Sequence, residues 1–365
     1  LKGEKHPDTQ RDALTYVFNT TLGKTVEAFI SFSLRIARST KTKEEKWGQR
    51  KYDRFFSIGI DPYIWFGYFL PQMRYLDEAY ADNKVRDFSN RSADDFEWQM
   101  FMEGYLSGHR FYKDVYFLMR SHYIKALENK VLQEKTDQRL VQHITIGYLH
   151  GHELLQENNA DGQKSLFWKM FTEASSLGKQ DRWLETVSFF WSLTTRTIKK
   201  EDQDGDEDVN QEEKSKILDF WKWTFDQQNF VKMQLGSEYD SFLGRMAELT
   251  ILLDKIDDAA EKWLLLCAPY IDHHHNATFF IEYLTKFEDD ESVKRIGNIF
   301  LKVLERTTPM YKSEDIRLIV SRIYKLKEKY PEAKEIADAI CNTYGRRGAH
   351  FLKDIWDQNQ MEKVR

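Results

Sequence analysis

From Val293 onward the apolar residues fall at Val293, Ile296, Ile299, Phe300, Val303 and Leu304, with mostly polar residues between them. That spacing is one stripe along a 3.6-residue helix. Thr307, Thr308 and Pro309 end it, because proline cannot continue the hydrogen-bond ladder. The pattern resumes after Ser313, a residue suited to an N-cap, with Glu314 and Asp315 where carboxylates favour the positive end of a helix. Its stripe is Ile316, Ile319, Val320, Ile323 and Tyr324, widened by Leu318 and Leu326. Pro331 then stands at the helical position where proline is best tolerated, and Ile336, Ala337 and Ile340 line the helix it opens.

Read backward, the same periodicity predicts helices over 276–287, 257–270, 239–254, 212–230, 180–199, 162–177, 137–157 and 110–134. No segment shows a sustained period-two pattern bounded by turn residues. The run FFSIGIDPYIWFGYF (55–69) has strand-like composition, but Asp61-Pro62 breaks it, and it reads as the end of one helix and the start of another. Helices joined by short turns pack as antiparallel neighbours. The predicted fold class is therefore all-α: an irregular HEAT/TPR-like helical-repeat solenoid of antiparallel helix pairs. The pairs 291–306 with 313–329 and 332–345 with 347–360 fit it best, and no strict tetratricopeptide or ankyrin repeat is present.

One stretch interrupts the pattern. Glu201–Glu213, EDQDGDEDVNQEE, holds eight acidic residues and one glycine, too few apolar groups to bury itself. It predicts a flexible acidic loop, 201–213, between an N-terminal part of the solenoid, 1–200, and a C-terminal part, 214–365.

Composition narrows the function classes. Hydrophobic residues make up 41% of the 365 and charged residues 31%, a balance suited to elements half buried and half wetted. A net charge of -5 argues against tracking a nucleic-acid backbone, which takes a basic face. The most basic stretch, KTKEEKWGQRK (41–51), is broken by two glutamates and reads as a solvated loop. The two cysteines, Cys267 and Cys341, lie far apart in apolar helical contexts, which favours a reducing cytoplasm. Sequons at Asn19, Asn90 and Asn276 have no secretory signal beside them. No apolar run approaches the roughly 20 residues that span a bilayer. The chain begins with Leu, which points to a piece of a longer protein.

Each constellation that could carry chemistry fails its spacing. With Gly205 at the sixth position of a calcium loop, Lys200 and Gln211 occupy the anchoring first and twelfth positions. Gly23-Lys24-Thr25 resembles the end of a P-loop, but Phe18 stands where the motif needs glycine. His273, His274 and His275 are adjacent and point apart, and His143, His150 and His152 are surface or satisfied side chains. Asp94-Asp95, Asp257-Asp258 and Asp289-Asp290 sit at helix starts, where capping explains them. The residues predict no cofactor, metal or catalytic group in this fragment.

Aromatics carry more information. Segments 94–106 and 111–127 are apolar almost all round, so their helices are buried on several sides or offer a second apolar face to a partner. In KILDFWKWTFDQQNF (216–230) the stripe is Ile217, Leu218, Trp221 and Phe225, and Trp223 falls off it. Aromatic anchors dominate protein interfaces, so Trp223 is a candidate partner contact; packing against a neighbouring repeat is the plainer reading.

The blocks VFNTTLGKTVEAFISFSLRIAR, RFFSIGIDPYIWFGYFLPQMRYLDEAY, DFEWQMFMEGYLSGHRFYKDVYFLMRSHYIKAL and TDQRLVQHITIGYLHGHELL succeed one another over 1–160. This succession resembles the C-terminal helical-repeat sensor region of antiviral STAND (Avs-type) NTPases and related sirtuin-containing bacterial anti-phage defence proteins. Asn19, Gly23, Val26 and Ala28 stand where that family shows an asparagine, a glycine and a helix-start alanine or valine pattern. The resemblance implies a sensor that binds a phage protein, terminase or portal, and switches on an effector domain elsewhere in the full-length chain, where oligomerisation also resides. The alternative is a general helical-repeat scaffold that binds a host partner. An enzyme with a helical active site would instead need a pocket where titratable groups converge.

Overall fold

A computed structural model describes residues 12–40, 49–108, 111–129, 131–172, 179–201, 211–271 and 276–361. The fold is all-α. Among the described residues the only extended pairing is one isolated antiparallel bridge, Asn158 with Lys164. The chain forms two compact units, Leu1–Arg182 and Trp183–Arg365. The sequence places its division at 201–213, of which 202–210 lie outside the described residues. The division into units falls earlier, inside a helix.

The first unit holds α1 (Ala13–Asn19), α2 (Thr21–Thr40), α3 (Gln49–Phe56), α4 (Asp61–Tyr68), α5 (Leu70–Leu76), α6 (Glu78–Ser89), α7 (Phe96–Leu106), α8 (Lys113–Leu118), α9 (Arg120–Asn129), α10 (Glu134–Leu149) and α11 (Leu166–Thr172). The boundary lies in α12 (Lys179–Glu201). The break expected at Asp61-Pro62 is present between α3 and α4, with proline in the first turn of α4. The all-round apolar segment 94–106 is buried on several sides: Trp98 and every residue from Met100 to Leu106 are enclosed in α7.

The reason α4 and α7 are so deeply buried is their approach. A Cβ on Gly104 would lie 2.0 Å from the Ile64 carbonyl oxygen, and one on Gly67 would lie 2.2 Å from that of Phe101. Backbone meets backbone there, which only glycine permits. Around this crossing the polar atoms of large side chains are paired, as burial requires. Trp65 Nε1 donates to the Gly23 carbonyl at 2.8 Å. Trp98 Nε1 donates to His122 Nδ1 at 2.9 Å, and His122 Nε2 donates to the Val85 carbonyl at 3.0 Å. Burial pushes the His122 imidazole down to about 4, so the ring stays neutral. After α10, a fully buried Glu153 accepts from Tyr116 Oη, Arg120 Nη1 and the Leu166 amide, and so ties the loop to three elements.

The second unit continues with α13 (Gln211–Asp226), α14 (Gln228–Leu235), α15 (Tyr239–Met246), α16 (Asp258–Cys267), α17 (Asn276–Thr285), α18 (Asp290–Arg306), α19 (Ser313–Lys325), α20 (Pro331–Arg346) and α21 (Lys353–Met361). Tight 3₁₀ turns follow α14, α15 and α16 at Gly236–Glu238, Ala247–Leu252 and Ala268–Tyr270. From α16 the packing alternates: α16 on α18 and α18 on α20, with α17 on α19 and α19 on α21. Successive helices also pack, α18 on α19, α19 on α20 and α20 on α21. Two layers of helical hairpins result, as the apolar stripes of α18, α19 and α20 require.

Several boundaries differ from the periodicity reading. The helix predicted over 239–254 stops at Met246 and tightens into a 3₁₀ turn, where Thr250 Oγ1 donates back to the Ala247 carbonyl at 2.6 Å. The one over 212–230 breaks at Gln227, and the one over 110–134 breaks at Met119. The one over 137–157 ends at Leu149 because Gly151 turns the chain with φ +73. Ser313 is the first helical residue of α19, not its cap; Lys312 holds the cap position in the left-handed region, φ 58. The paired carboxylates do cap: Asp95, Asp257 and Asp289 each accept a backbone N–H in the first turn. No helix of the described residues is long and apolar enough to cross a membrane.

Candidate binding cleft in the second unit

The second unit carries an open cleft of about 1070 Å³ between α12, α15, the 3₁₀ turns after α15 and α16, α17 and the end of α18. Its geometry begins at Gly244, where a Cβ would lie 2.3 Å from the Tyr270 carbonyl oxygen. That close approach holds α15 against the 268–271 segment, and residues of both line the cleft.

Aromatic side chains supply much of the wall. Trp191 of α12 faces Phe279 of α17 with ring centroids 6.0 Å apart, and Phe279 stacks on Tyr283 at 6.3 Å. Tyr270 carries the Arg306 guanidinium over its ring at 4.3 Å. Arg306 also pairs with Asp240 at 3.5 Å, an exposed contact that contributes little by itself. Arg245 donates to Ser188 Oγ. Hydroxyls of Ser188, Ser192 and Ser241 complete the lining.

Glu248 is the unusual member. It is 8% exposed, it lines the cleft, and among the described residues no donor is hydrogen-bonded to its carboxylate. Burial pushes this carboxyl up to about 7, against the opposing pull of the Arg245 charge. Its neighbour Tyr283 is raised as well, first by burial and then by the Glu248 charge.

The residues singled out in sequence lie elsewhere. Trp223 is half buried and stacks face to face on the buried Trp183, with centroids 5.7 Å apart and planes 9° apart, beside Phe220. It does not line the cleft. His143 packs on Tyr105 and Tyr123, while His150 and His152 flank Phe111. Gly23, Lys24 and Thr25 lie in the first turns of α2. His273, His274 and His275 fall outside the described residues. Cys267 and Cys341 are free and buried, and burial pushes the Cys341 thiol up to about 11. Among the described residues no group of three or more His, Cys, Asp or Glu side chains is placed to hold a metal ion.

Sequence reasoning missed the cleft. One signal was present: Glu248 is the single charged residue in MAELTILL (246–253), and a lone carboxylate in an apolar run is either paired or poised. No family model, curated protein or solved structure matches the chain.

Proposed function

We propose that this chain is a recognition module that grips a polypeptide partner, and that the cleft of the second unit is where the grip is made. The cleft is the observation that carries this reading. It combines aromatic walls, paired guanidiniums and a buried carboxyl in an open groove, the mixture with which interfaces anchor a partner chain. The hairpin layers of α16 to α21 support it, because such layers stack into the extended surfaces that helical-repeat solenoids use for binding.

The finer reading rests on the sequence resemblance alone: a sensor region of a bacterial anti-phage defence protein that binds terminase or portal and thereby activates an effector domain elsewhere in the full-length chain. The test is affinity capture with the whole chain against separately expressed phage structural and packaging proteins and against a host lysate. A stable complex with a terminase or portal subunit supports the sensor reading. Capture of a host subunit alone replaces it with a general scaffold, and a folded chain that retains nothing sinks the recognition reading.

A further inference from the structure

We propose that Glu248 is the anchoring residue of the cleft and that it takes a basic side chain, arginine or lysine, from an extended segment of the partner. The inference deepens the recognition reading and rests on it. Its geometric basis is a glutamate residue 8% exposed that lines an open cleft, with no donor among the described residues hydrogen-bonded to its carboxylate. Buried carboxylates are ordinarily paired or hydrogen-bonded, so this one is built to receive a donor from outside the chain.

Two further features select a cationic donor. Trp191, Tyr270 and Phe279 offer aromatic faces, and the Arg306 guanidinium on Tyr270 shows that one of them already holds a cation. Neither of the cleft's own guanidiniums is hydrogen-bonded to Glu248: Arg306 lies over Tyr270 and beside Asp240, and Arg245, whose charge does reach Glu248, donates to Ser188. The charged and titratable groups around Glu248 are Arg245 on the same stretch, Tyr283 from α17, and Asp240 and Arg306 along the cleft.

The test uses the whole chain and three capped pentapeptides, acetyl-Ala-Ala-X-Ala-Ala-amide, with X as arginine, its neutral isostere citrulline, or glutamate, followed by calorimetry at pH 8. The arginine peptide is expected to bind at least about tenfold tighter than the citrulline peptide, and Glu248→Gln is expected to erase that difference. Should the variant fail to fold, the parent itself decides: its preference for arginine should fade below pH 7 as the carboxyl takes up a proton. Equal binding of arginine and citrulline, preference for glutamate, or an undiminished preference in Glu248→Gln overturns the proposal. If no peptide binds but the chain still captures a partner protein, the anchor is wrong and the recognition reading stands.

Discussion

Replacing Gly104 by alanine tests the tightest packing in the first unit, because two opposing effects decide its sign. In an open helix, Gly→Ala stabilises by about 1 kcal/mol, since alanine loses less backbone entropy on folding. At Gly104 the new methyl would lie 2.0 Å from the Ile64 carbonyl oxygen, whereas ordinary contact begins at 3.4 Å. Both neighbours are backbone, so α4 and α7 must part by about 1.4 Å. Gaps of that size forfeit a large share of the dispersion contacts around Trp65, Phe66, Trp98 and Phe101. Overpacking of this kind costs about 1–3 kcal/mol or somewhat more, so net destabilisation of about 2 kcal/mol is expected. Gly345 of α20 is the matched control, with nothing within 4 Å of an added Cβ, and Gly345→Ala should stabilise by about 0.5 kcal/mol. Urea unfolding followed by circular dichroism reads both from midpoint shifts at constant slope. Gly67→Ala acts on the same crossing, so the double variant should lose less than the sum of the two singles. A Gly104→Ala chain as stable as its parent would refute the close approach.

Other side chains give separate tests. Burial, with Asp12 adding to it, pushes the Glu103 carboxyl up to about 7, so the folded chain keeps a proton that the unfolded chain releases near pH 4.5. Stability therefore falls as pH rises across that window, and Glu103→Gln should flatten the slope and stabilise by at most about 3 kcal/mol at pH 8; a pH-independent difference between the two chains contradicts this. Arg182 is almost fully enclosed and grips Asp137 through two bonds of 2.9 and 3.2 Å. Asp137→Ala removes the carboxylate that pairs with this cation and should cost about 3–5 kcal/mol by thermal unfolding, more than replacing both residues by apolar ones. Trp223→Ala removes a stack on Trp183 and should cost about 2 kcal/mol without altering partner capture. Loss of capture by a folded Trp223→Ala chain would put that ring at the partner surface.

The regular hairpins were legible because burial on one face writes a stripe: α18 buries every residue that the periodicity selects, α19 all but Leu318, which is exposed, and α20 all but Ile336, which is half buried. The caps at Asp95, Asp257 and Asp289 were legible because a carboxylate before an apolar run has one local use. Where tertiary contacts overrode the local pattern, the reading failed. Residues 239–254 carry enough apolar positions for one helix, yet the chain tightens at Ala247 beside the Gly244 approach to Tyr270. Similarly, nothing local marks Gln227 or Met119 as breaks. Trp223 stood out because it left its stripe, and the reason is a second aromatic, Trp183, some 40 residues away in sequence.

That failure bears on where function sits. The cleft sets the irregular part of the second unit, namely the short α15, two 3₁₀ turns and the junctions beside them, against side chains of α12 and α17, while the stripes of α18 to α20 face their own hairpin partners. Cleft residues such as Trp191, Arg245 and Phe279 are therefore separable from the apolar stripes that hold the hairpins together. On the proposed reading, replacing them changes what the cleft accepts at little cost to the layers, whereas replacing Ile299 or Ile323 opens a cavity and changes no cleft surface. A recognition module benefits from that separation, because the scaffold supplies rigidity and the irregular turns supply choice. Glu248 lies on one of those turns, held in the cleft wall by packing that the regular pattern does not prescribe.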